Sequence, residues 1–184
     1  MTPPSTSAWF IATESFGPAD GDAWTDYVEW SGLTQLQEVV SLDQLLCPTL
    51  LPETQDHFWP YVVSQDFLSR YFVDFAFLKE QVTAVKKKNL LGVFRNPERA
   101  PEAPAADFEF MGYDLIDPET SVSALTNCGG FPDVFDNSEL SPVGLLPEFE
   151  RAREVQKQLR AAYPKEAHAN CNLWAIFRYL SFPL

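Results

Sequence analysis

The chain has 184 residues, enough to bury a full hydrophobic core without disulfide or metal staples. A formal net charge of −13 excludes nonspecific binding to nucleic acid or to an anionic membrane surface, since both need a cationic field. No apolar run approaches the ~18 residues that cross a membrane.

The charge is unevenly placed. No Lys or Arg precedes Arg70, while residues 1–69 carry ten acidic groups; the other 115 residues hold 13 basic and 16 acidic ones. An acidic front third is thus joined to a nearly neutral body, within what the length makes a single domain over 1–184. The opening residues, "MTPPSTSAWFIATESF", show no basic segment followed by a long apolar one, so no export signal is read there. With three cysteines, Cys47, Cys128 and Cys171, the expectation is a cytoplasmic protein with free thiols.

Taken in order, 8–16 is short and apolar and reads as a first strand. "DAWTDYVEW" (22–30) fits either a strand or a short helix with Trp24, Tyr27 and Val28 on one face. Residues 36–42, "LQEVVSL", have strand composition. Three prolines in 47–60 indicate an irregular connection. Leu68, Tyr71, Phe75, Leu78, Val82 and Val85 recur at steps of three and four, which predicts a helix capped by Asp66 or Asp74. Lys86, Lys87 and Lys88 then fall at its C-terminus, where they complement the dipole or meet a phosphate or acidic partner.

Strands are predicted over 89–96, 107–116 and 121–126, with 97–107 as a Pro- and Ala-rich loop. In 107–116 a simple alternation sets Phe108, Phe110, Gly112 and Asp114 against Glu109, Met111, Tyr113 and Leu115. A helix follows Pro147, with Phe149, Ala152, Val155, Leu159 and Ala162 as its apolar stripe. Its wet side offers the i,i+3 pairs Glu148/Arg151, Glu150/Arg153 and Glu154/Lys157. In 171–180 both faces are largely apolar, so this strand belongs in the sheet interior. "GVFR" (92–95) and "AIFR" (175–178) fit neighbouring strands with their arginines at one level, or chance. The fold class is α+β: a mixed or antiparallel sheet with a central C-terminal strand and two main helices packed on it.

Two regions invite a chemical reading. Cys128 lies in "NCGG", a turn whose amides would stabilise an oxyanion, and His168 is a base that would activate its thiol. Cys128, His168 and Cys171 together fall short of the four paired ligands of a structural zinc, so no metal is assigned. The alternative is structural: Cys171 as a small buried hydrophobe, and Asn127 and Asn170 satisfying backbone groups at strand ends. "DGDAWTD" (20–26) lacks the glycine and distal glutamate of a calcium loop. There is no phosphate-binding glycine loop, dinucleotide fingerprint or serine elbow, and no cofactor is expected.

The second region is acidic and aromatic: Asp20, Asp22, Trp24, Asp26, Glu29 and Trp30. Carboxylates beside aromatic anchors suit a surface that meets a basic protein. In size, acidity and expected location the chain resembles bacterial toxin-immunity proteins, a resemblance of type without a shared motif. The resulting expectation is an acidic protein-binding module, an inhibitor or immunity-type protein that neutralises a basic partner. A small cysteine-dependent enzyme using Cys128 and His168, and a structural subunit of a larger assembly, are the alternatives.

Overall fold

The strand at the chain's end organises the molecule. The computed structural model describes residues 7–51, 56–66 and 69–180. In it β6 (Asn172–Tyr179) lies between β4 (Lys88–Arg95) and β5 (Phe108–Ile116), antiparallel to both. With β1 (Trp9–Glu14), β2 (Val62–Asp66) and β3 (Ser69–Phe72), these make one six-stranded antiparallel sheet in the order β2-β3-β1-β4-β6-β5. The interior position follows from the sequence. Cys171, Leu173, Ala175 and Phe177 enter one core cluster, while Trp174 and Ile176 enter another. A strand apolar on both faces is stable only where both are covered.

Among the described residues three α-helices accompany the sheet: α1 (Asp22–Ser31), α2 (Phe75–Gln81) and α3 (Phe149–Ala162). The ambiguous segment at 22–30 is therefore helical. Trp24 and Tyr27 are its buried positions, and Gly32, at φ 69°, closes it with an amide bonded to the Val28 carbonyl at 3.0 Å. A left-handed residue at this point costs glycine nothing. α3 buries Ala152, Val155 and Leu159, as its stripe predicts, but Ala162 is exposed. Its ion pairing also differs from the expected set. Arg151 holds Glu139 at 2.6 Å and Glu154 at 3.1 Å, and Glu148 is the N-cap residue.

The helix expected from Asp66 onward is shorter than its periodicity suggests. Asp74 is the N-cap, accepting from the Phe77 amide at 3.0 Å, and the helix ends at Gln81. Upstream, Tyr71 and Phe72 are both about fully buried but belong to different clusters on opposite faces of the sheet. Only a strand sends adjacent residues to opposite sides, so burial overrides the helical spacing. Leu68 and the opening residues 1–6 lie outside the described residues, as does the 52–55 part of the proline-rich connection.

Three further expectations change. Residues 36–42 and 121–126 are irregular chain with single bridges, Phe16 to Val39 and Ile116 to Ser123. In β5 the alternation breaks at a bulge between Phe110 and Gly112, so Phe108, Tyr113 and Leu115 share one cluster. Gly112 is required there, because at φ 138° a Cβ would stand 2.6 Å from that of Leu145. "GVFR" and "AIFR" are indeed neighbours, but antiparallel. Arg95 faces Trp174 and Arg178 faces Leu91, at opposite ends of the pairing.

Candidate functional site

The acidic face is built on α1. Its buried side is fixed by Trp24 and Tyr27, which pack edge-on against Phe16 with centroids at 5.3 Å. The Tyr27 hydroxyl donates to the Thr126 carbonyl at 2.8 Å, which ties the helix to the body. Helical geometry then sends Asp22, Asp26, Glu29 and Trp30 to solvent. Trp30 is 58% exposed. A tryptophan left in water on a helix that buries two other aromatic residues is a feature folding does not require.

The six residues anticipated from sequence therefore divide. Trp24 is core. Asp20 is half-buried and pairs with Lys87 at 2.5 Å, and that ammonium holds its carboxyl below the usual range. Asp22, Asp26, Glu29 and Trp30 remain on the open face, without an ion pair among the described residues.

Trp30 also brings a second segment to this face. It borders a small crevice with Leu33, Gly129, Gly130 and Asn137. Asn137 accepts a hydrogen bond on its carbonyl from the Gln35 side chain at 2.7 Å. Its neighbour Asp136 is exposed, as is Asp133. The crevice thus joins the Trp30 end of α1 to the segment at 129–137. No local pattern announces this partnership, because about a hundred residues separate the two stretches.

Beneath the face lies a network that sequence reasoning missed. Asp43 and Asp114 are fully buried. Asp43 accepts from the amides of Leu45 (2.8 Å), Leu46 (2.9 Å) and Ser123 (2.8 Å), and from Asn127 Nδ2 at 3.0 Å. Asp114 accepts from Ser41 Oγ at 2.5 Å, Ser123 Oγ at 2.6 Å and the Leu115 amide at 2.8 Å. Burial pushes the Asp114 carboxyl up to about 6, against the pull of these donors and with a further push from Asp43. The nearest sequence signal was Asp43 two residues after Ser41, a spacing typical of local side-chain-to-backbone turns. Asn127, expected to serve backbone groups, instead holds the Asp43 carboxylate.

Cys128 follows Asn127 in this network. Its thiol donates to the Ala124 carbonyl at 2.7 Å. Burial raises it to about 11, and the negative charges of Asp43 and Asp114 add to that effect. A thiol so placed stays protonated at neutral pH and is a poor nucleophile. His168 packs edge-on against Phe131 at 5.5 Å, and its buried Nδ1 has no hydrogen-bond partner among the described residues. No hydrogen bond joins Cys128 to His168 among the described residues. Cys171 and Cys47 are buried, and burial raises both thiols. The described residues contain no group of three or more His, Cys, Asp or Glu side chains arranged to hold a metal. None of their helices is long and apolar enough to cross a membrane.

Compared with protein-family models, with curated proteins and with solved structures, the chain matches none.

Proposed function

We propose that the exposed face of α1 docks a basic protein, and that the chain acts as an acidic inhibitor or immunity-type protein. The observation that carries this reading is the pairing of Trp30, 58% exposed, with Asp22, Asp26 and Glu29 on a ten-residue helix that has no Lys or Arg. The tryptophan supplies the kind of aromatic anchor enriched at binding hot spots. The carboxylates supply a field that speeds encounter with a cationic surface and rejects anionic ones. The buried side of the helix is fixed in the core, so the face is presented on a rigid support and little ordering cost falls on binding.

The test is affinity capture on immobilised protein, comparing the native chain with the double variant Asp22→Lys, Asp26→Lys. The reading expects a basic protein retained by the native chain, released by moderate salt and absent from the variant. Its association rate should fall steeply with ionic strength. A captured partner that binds both proteins equally would refute the α1 face as its site.

A further inference from the structure

We infer that a second site, at the far end of β4 from Arg95, binds a small phosphate-bearing molecule with an apolar body. A groove of about 640 Å³ opens there, lined by Lys79, Lys86, Lys88 and Arg178 around Leu90 and Leu180. Its size falls within the common range of small-ligand sites, roughly 300–1,000 Å³. Four of the chain's 13 basic residues meet in this groove, and no Asp or Glu among the described residues lines it. In a chain of net charge −13 that segregation is the opposite of what the composition favours.

The cations differ in how far the fold accounts for them. Arg178 is neutralised by Glu38 at 2.6 Å. Lys88 donates to the carbonyls of Thr83 and Val85, closing the turn after α2. Among the described residues Lys79 bonds to neutral groups, the Tyr179 hydroxyl at 2.8 Å and the Tyr179 ring at 4.6 Å from its centroid. Lys86 is exposed, without a hydrogen bond or ion pair to any described residue. Lys87, between Lys86 and Lys88, turns away to Asp20. Three of the four positive charges are therefore without an ion-pair partner among the described residues at one concavity. That makes an anion site, since folding alone gains nothing from gathering like charges.

The walls select further. Leu90 and Leu180, beside Tyr179, give the groove an apolar part of its lining among the cations. Lysine serves phosphate as a point charge without demanding planar, two-pronged geometry. An anionic head at Lys79 and Lys86 with an apolar group over the leucines fits both parts.

The probes are phenyl phosphate and inorganic phosphate, titrated by calorimetry and by amide chemical shifts into the full chain. Phenyl phosphate should bind more tightly than inorganic phosphate and shift resonances of residues 79–90 and 178–180. The double variant Lys79→Ala, Lys86→Ala should weaken phenyl phosphate at least tenfold with an unchanged circular dichroism spectrum, because both side chains are exposed. Lys157→Ala, an exposed lysine on α3, should leave binding unchanged. Equal affinity of the native chain and the double variant, or no saturable binding, would overturn the site. Equal affinity for the two probes would overturn its apolar half.

Discussion

Asp43 and Asp114 on one side, and Asp22 and Asp26 on the other, are the same residue in two opposite settings. The first pair is fully buried without an ion pair, and its oxygens are met by hydroxyls, backbone amides and the Asn127 amide of the chain itself. The second pair is exposed on α1, without an ion pair among the described residues. The buried carboxylates are therefore part of how the loops at 39–49 and 117–128 are held, and full burial keeps them from the surface. The exposed ones do nothing for the fold that another polar residue would not do. A carboxylate's availability for function is set by how many donors the fold has already given it.

Removing a buried member should hurt most. Asp43→Ala strands three backbone amides and the Asn127 side chain. It should cost about 4 kcal/mol of stability in urea unfolding, a loss typical of breaking a buried charged network. A cost below about 1 kcal/mol would erase the contrast with α1.

Next in size is a pH effect at Asp114. Its folded carboxyl titrates near 6, above the ordinary 3.8, so the folded state keeps a proton that the unfolded chain gives up. The stabilisation is full below about pH 4 and is lost as pH rises through 6, a change of about 3 kcal/mol. Asp114→Asn removes the titration. The native chain should lose stability relative to that variant between pH 4 and 6.5, and parallel curves would contradict the assignment.

On the exposed side the effects are smaller and of another kind. Asp22→Lys with Asp26→Lys should leave unfolding within about 1 kcal/mol of native, because neither carboxylate has a protein ion-pair partner. The same change should slow association with a basic partner about tenfold at low salt. Trp30→Ala should likewise leave folding within about 1 kcal/mol of native, and should shorten the lifetime of any complex rather than slow its formation. A large loss of stability would mean that Trp30 is structural.

The contrast also explains what the sequence disclosed. The β6 strand was legible because ten residues with apolar groups on both faces admit few other solutions, and the α3 stripe was legible for a similar reason. The hairpin of β2 and β3 was hidden, since Tyr71 and Phe75 happen to keep helical spacing and only their neighbours' burial separates the two readings. The bulge at Gly112 was hidden because alternation carries no mark of an inserted residue. For the site, the α1 acids were visible as composition, but Trp24 and Trp30 could not be separated until the helix phase was known. Asp43, Asp114 and Asn127 were invisible as a group, for their meeting depends on the loops at 39–49 and 117–128 packing beside β5, and no local pattern encodes that contact.

The most direct test of the α1 face uses an octalysine peptide as a cationic probe, titrated into isotopically labelled native protein at low salt. The account predicts that the first and largest shifts fall on residues 22–30, on the Trp30 indole and on 129–137, and that Asp22→Lys with Asp26→Lys abolishes them. Equal shifts along the acidic residues of α3, or a pattern unchanged in the double variant, would contradict the claim that this helix is the molecule's docking face.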